Sequence, residues 1–178
     1  ATEIDDLAER AAAPRTESPR SDSSSGAAAP PLAGVRVLEI TNLIAGPTAG
    51  RLLADLGADV IKIEPPSGDI SRPLGRTYFY GVNFNKRSVC VNTRPPEGKN
   101  IVQRIGKSAD ILLANLRPGA TERMGLGPAL NPELIEVHLT GYGWTGPYSK
   151  RPGIDPLASA YLGLLRAQGG RENPPVFP

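Results

Sequence analysis

A single cysteine and a single histidine in 178 residues remove several chemistries at the outset. One cysteine excludes an internal disulfide framework and any metal site built from clustered cysteines. Its setting in SVCVN predicts a buried strand residue for Cys90 rather than a nucleophile. Aromatics make up only 5% of the chain and apolar residues 39%, and the shortfall is concentrated at the start. Residues 1–30 hold no aromatic and only two large aliphatics, Ile4 and Leu7, in a mix of Ala, Ser, Pro and Arg. Such a segment buries too little apolar surface to offset its ordering entropy, so a disordered linker or N-terminal extension is expected there. A transient helix over 4–13 is the most it would form. No run approaches the ~20 apolar residues of a membrane span. The N-terminus also lacks the basic-then-apolar layout of a signal peptide, which makes a cytoplasmic location the default expectation. The chain opens on Ala rather than Met and stops at NPPVFP after a Gly-Gly turn, so both ends read as cuts.

Charge divides at the same boundary. Residues 1–30 carry a net −3, so the remaining 148 carry +5 within a chain total of +2. That is compatible with an anionic ligand and far from the basic stripe of a nucleic-acid binder.

From Pro31 the pattern becomes regular. Short β-rich runs are expected at VRVLEI (35–40), DVIKIE (59–64), SVCVN (88–92), DILLAN (110–115) and IEVHLTG (135–141). Helical spacing covers 48–56, with Leu52, Leu53 and Leu56 on one face, Pro47 in the first turn and Gly57 as C-terminal cap. A second helix is expected over 96–108, and RPGATERMG offers a loop and a helical turn. A third helix over 157–167 is opened by Asp155-Pro156, with Asp155 as cap. PPSGD reads as a loop. Strands alternating with helices predict an α/β fold with a mainly parallel sheet flanked by helices.

GPTAGRLLADLGADVIKIE (46–64) is close to the grammar of a dinucleotide-binding unit. The G-x-G-x-x-G loop is missing, however, since only Gly46 and Gly50 are present and Pro47 removes one N–H donor. Glu64 does stand near the position of a ribose-binding acid. Close helix–sheet packing is the better reading of the two glycines, with a dinucleotide site as the alternative. Asn115 could simply end a strand, and Arg123 could be a solvated helix residue. Trp144 and Tyr148 could pack a surface hairpin, and His138, in an apolar strand, reads as a packed residue.

Five stretches in order carry a resemblance: 31–69, 85–99 (NKRSVCVNTRPPEGK), 109–127 (ADILLANLRPGATERMGLG), 130–156 and NPPVFP at 173–178. Together they resemble the family III CoA-transferases, which include carnitine CoA-transferase, formyl-CoA transferase and the α-methylacyl-CoA racemases. The resemblance covers 31–178 and implies the CoA-binding part of a Rossmann-like large domain, in a protein whose two chains interlock as a homodimer. It implies coenzyme A, as acyl-CoA substrate, with a carboxylic acid acceptor, and no metal, nucleic acid or membrane. It also implies an acyl-enzyme route in which an aspartate attacks the thioester, with backbone N–H groups of a glycine-rich loop facing the oxyanion. Carried over by position, Asn42, Asn115, Leu116, Ala120, Arg123, Met124 and Tyr142 are the expected CoA contacts, Leu116 standing where relatives have an aromatic. Pro65 replaces an Arg found in some members.

No catalytic residue is expected within the chain. The resemblance puts the aspartate in a Gly-Asp segment beyond Pro178, so the chain is expected to be an inactive N-terminal half. Ile154 occupies the position of the racemases' proton-transferring His, which disfavours racemisation. The alternatives are a non-catalytic CoA-binding or assembly module, an acyl-CoA racemase, and an NAD-dependent oxidoreductase.

Overall fold

In a computed structural model, the described residues are Glu9, 29–170 and 172–176. The expectations of disorder over 1–30 and of a helix over 4–13 therefore fall almost wholly outside them. The chain divides into two compact units, residues 1–138 and 139–178.

The first unit is built on five parallel strands in the order β3-β2-β1-β4-β5. These are β1 (Arg36–Ile40), β2 (Asp59–Glu64), β3 (Arg87–Cys90), β4 (Ile111–Ala114) and β5 (Ile135–His138). The expected runs place all five: β2 coincides with DVIKIE, β3 starts one residue early, and the other ends differ by no more than three residues. Helix α1 (Ala45–Asp55) links β1 to β2, and α2 (Arg76–Asn83) follows a 3₁₀ turn at Arg72–Leu74. Helix α3 (Pro96–Lys107) and the short α4 (Ala120–Arg123) complete the unit.

Strand alternation gives the sheet two different faces. Leu38, Ile40, Ile61, Ile63 and Leu112 form an apolar cluster with Val102 and Ile105 of α3. On the opposite face Val37 and Val60 are buried near the N-terminal end, and the buried residues Glu39 and Lys62 stand side by side nearer the carboxyl end. At the strands' amino ends Asp59 takes Arg36 at 3.2 Å and Arg87 at 2.8 Å, which ties β1, β2 and β3 together.

Helix α1 corrects one expectation. Leu52 and Leu56 are exposed, and the buried face is Gly46, Pro47, Gly50 and Ala54. The sheet comes so close that a Cβ at Gly50 would run into the Glu39 carboxylate, and one at Gly46 into Thr41. Small residues therefore face the sheet, as the packing reading of the glycines requires. Gly57 does end the helix at φ 101°, with its N–H on Ala54 O and that of Ala58 on Leu53 O, both at 3.0 Å, which is a Schellman cap.

The expectation for Cys90 is revised as well, and residues 76–83, to which no element was assigned, are helical. Helix α2 (RTYFYGVN) carries three β-favouring aromatics and packs against α1 and the 3₁₀ turn. Cys90 is exposed, because β3 is an edge strand whose residues alternate between solvent and the sheet. His138, on the other edge strand, is partly buried and bonds Glu136 at 2.9 Å.

In the second unit the expected 157–167 helix is two helices, α5 (Asp155–Tyr161) and α6 (Leu164–Gly169), broken at Gly163 with φ 75°. Asp155 makes no capping bond; its carboxylate accepts from Ser159 Oγ instead. The 141–153 segment contains no strand pair. It is a loop closed where Gly141 meets Gly153 backbone to backbone, too tightly for a Cβ on either.

Candidate functional site

In an open parallel sheet, ligands are received outside the carboxyl ends of the strands, where the order of connection reverses. Here that point lies between β1 and β4. The turn after β1 and the residue after β4 lock together there. Asn115 Oδ1 accepts the N–H of Asn42 at 2.9 Å, and Asn115 Nδ2 donates to Asn42 O at 2.8 Å.

A cavity of about 190 Å³ opens at these strand ends. Ile40, Ile63 and Val91 contribute apolar surface, Leu116 and Met124 line it too, and Thr41, Asn42 and Thr93 supply polar atoms. The 65–70 loop contributes Pro65, Gly68, Asp69 and Ile70. Met124 is held in place because its carbonyl accepts from Gln103 of α3 at 2.8 Å.

Three of the expected contact residues, Asn42, Leu116 and Met124, thus line one cavity. Asn115 acts one step back, with its amide engaged on the Asn42 backbone. Ala120 and Arg123 belong to α4, directly before Met124. Arg123 is exposed and closes that four-residue helix rather than opening it, so any anion contact comes from the guanidinium itself. Tyr142 belongs to the second unit, where it meets Tyr148 and Tyr161 edge-on at 5.9 and 6.2 Å.

Glu64 is not available as a ribose acid. Its carboxylate takes Arg72 through two bonds of 2.6 and 2.7 Å, Ser88 Oγ at 2.6 Å and the Asp69 N–H at 3.0 Å. Burial pushes this carboxyl up, but Arg72, Ser88 and the Asp69 amide outweigh it and hold it below its ordinary range. The Arg72 guanidinium, raised by Glu64, also lies 3.9 Å over the Phe79 ring.

Sequence reasoning missed the charges behind the cavity. Lys62 Nζ donates to Thr41 O at 2.7 Å and to Glu39 at 3.2 Å, and lies 2.9 Å from Asp69 Oδ2. Lys86 Nζ reaches Glu39 at 2.8 Å, Pro47 O at 2.7 Å and Asn83 at 3.0 Å. Glu39 Oε2 and Asp69 Oδ2 are held by ion pairing without a directed hydrogen bond. Burial lowers Lys86 in spite of Glu39. Burial raises Asp69, but the Ser71 amide and Lys62 bring it below its ordinary value. The signal in the sequence was a lone charge inside each of two apolar runs, LEI and IKI, beneath a glycine of α1.

A parallel α/β sheet with a cavity at its switch point is the arrangement in which open α/β folds receive small-molecule ligands. The profile of CoA-transferase family III matches residues 32–178, and the chain belongs to that family. Succinyl-CoA:glutarate CoA-transferase of Mus musculus is 43% identical over 160 residues, covering 83% of this chain and 37% of its own length. Succinyl-CoA--D-citramalate CoA-transferase of Chloroflexus aurantiacus is 42% identical, covering 82% of this chain and 39% of its own. Rv3272 from Mycobacterium tuberculosis, a solved structure, superposes at a TM-score of 0.76 with 42% identity, covering 83% of this chain and 43% of that one. The chain therefore spans less than half the length of the relatives it matches. Among the described residues no group of three or more His, Cys, Asp or Glu is arranged to hold a metal, and no helix is long and apolar enough to cross a membrane.

Proposed function

We propose that this chain supplies the CoA-binding half of an acyl-CoA:carboxylate CoA-transferase, with the nucleotide end of CoA seated in the switch-point cavity. The observation that carries the reading is that Asn42, Leu116 and Met124, separated by 82 residues at their extremes, line one cavity at the place the fold reserves for nucleotides. A 190 Å³ space is smaller than a whole-ligand pocket, which suits one ring system rather than the full cofactor. Its apolar surface accepts a planar base, and the Asn42 turn offers polar atoms at the edge. Arg123, exposed beside Met124, supplies a permanent cation for the phosphates.

The acyl step as read here requires a carboxylate nucleophile, and both carboxylates that line the cavity among the described residues are engaged elsewhere. Glu64 is bound by Arg72 and Ser88, and Asp69 by Lys62 and Ser71. The aspartate that attacks the thioester carbonyl, expels the CoA thiolate and forms a mixed anhydride lies beyond Pro178. The whole protein works as an interlocked homodimer, and this chain alone binds CoA without turning it over. The coding sequence that continues from Pro178 tests the reading. A glycine-rich Gly-Asp segment within the next few codons supports it. A stop codon there replaces it with a non-catalytic CoA-binding module.

A further inference from the structure

Glu39, Lys62, Asp69 and Lys86 all have side chains no more than 2% exposed. Stability alone does not account for them, because exchanging a buried ion pair for well-packed hydrocarbon is often neutral or favourable. A buried ammonium can, however, bond a backbone carbonyl and a carboxylate of separate segments at once, which hydrocarbon cannot. Lys62 grips the carbonyl of Thr41, directly before the cavity-lining Asn42. It also grips Asp69, in the loop that lines the cavity from the β2 side. Asp69 Oδ1 accepts the Ser71 N–H and Oγ at 2.8 and 2.7 Å and the Leu43 N–H at 3.4 Å. Leu43 has φ 62°, a left-handed backbone that a non-glycine residue holds only where its surroundings impose it.

We propose that Lys62 is the positioning residue of the cavity: through Asp69 it ties the 41–43 turn to the 65–72 loop, fixing the two walls between which the ligand sits. The inference rests on reading the cavity as the CoA site. It assigns Lys62 no contact with the ligand.

The test uses the full chain with Lys62→Met, Asp69→Asn and the double variant. Hydrogen exchange is followed at the amides of 67–72, and CoA is titrated calorimetrically. Each single variant is expected to speed exchange in 67–72 at least about tenfold, a modest share of what breaking a buried pair costs. Amides of β1 and β4 should stay protected, and CoA should bind correspondingly more weakly. The double variant should be no worse than the worse single, because the pair is one link. Unchanged exchange in 67–72, or effects that simply add, overturns the proposal. Should Lys62→Met fail to fold, Asp69→Asn decides alone, since its carbonyl keeps the Ser71 acceptor while the charge and the acceptor facing Lys62 are lost. Should the wild-type chain not bind CoA, the site reading fails, while the exchange data still decide the tie between turn and loop.

Discussion

Replacing Gly50 by alanine sets two known effects against each other. Alanine inside a helix is favoured over glycine by about 1 kcal/mol. At this position, however, the new methyl would collide with the Glu39 carboxylate and come within 3.2 Å of Lys86 Nζ. Glu39 has nowhere to go, because Thr41 Oγ1 at 2.6 Å and both lysines hold it in a fully buried pocket. Displacing it breaks a buried ion pair, which costs about 3–5 kcal/mol. The net expectation is destabilisation by about 2–4 kcal/mol, read from urea unfolding midpoints at constant slope. In thermal unfolding that is a fall of roughly 4–16 °C for a chain of this size. Gly81→Ala, in α2, is the matched control: a Cβ there meets nothing within 4 Å, so stability should rise by up to about 1 kcal/mol. A Gly50→Ala protein as stable as the wild type would refute the reasoning, since helix propensity would then have won over the buried carboxylate.

Acid should weaken the fold through Glu64 and Asp69. Both carboxyls lie below their ordinary values in the folded chain, so the unfolded chain binds more protons as the pH falls. Their contribution is fully present above about pH 5 and is lost as pH drops through and below about 4, which urea midpoints across that range would show. Arg72→Ala should flatten part of this loss, and an unchanged pH profile would count against the Glu64–Arg72 pair. Asn115→Ala removes both bonds to the Asn42 backbone and should cost about 1–3 kcal/mol of stability. It should also weaken CoA binding, and an unaltered Kd would take the Asn42 turn out of the site. Pro65→Arg places a cation at the cavity edge and should tighten CoA by about threefold to tenfold, in line with one additional charge-assisted contact, with the gain fading as salt rises. No gain at low salt would mean that the phosphates lie elsewhere.

Strands were the most legible part of the sequence, because parallel strands buried on both faces leave short continuous apolar runs such as VRVLEI and DILLAN. Helix α1 was legible in extent but not in orientation. Its leucines suggested an apolar stripe, yet the sheet approaches closely enough that only Gly46, Pro47, Gly50 and Ala54 fit beneath it. Helix α2 escaped because its aromatics favour strands, and tertiary packing decides their state. The cavity residues were legible only through resemblance. Spacing alone cannot bring Asn42 beside Asn115, which requires the β1–β4 pairing across 73 residues. The buried charges were hidden for the opposite reason: Glu39 and Lys62 look like solvent-facing strand residues until the register puts them side by side and α1 lays Gly50 over Glu39.

The central claim is that CoA, and not a nicotinamide dinucleotide, occupies the cavity at the strand ends. Titration calorimetry of the chain with CoA and with NAD, repeated on Thr93→Trp to fill the cavity, tests it most directly. The account predicts CoA binding that NAD does not compete away and that the tryptophan weakens by at least about tenfold, the scale of losing one well-filled subsite. NAD binding at this site, or CoA binding indifferent to the tryptophan, would contradict it.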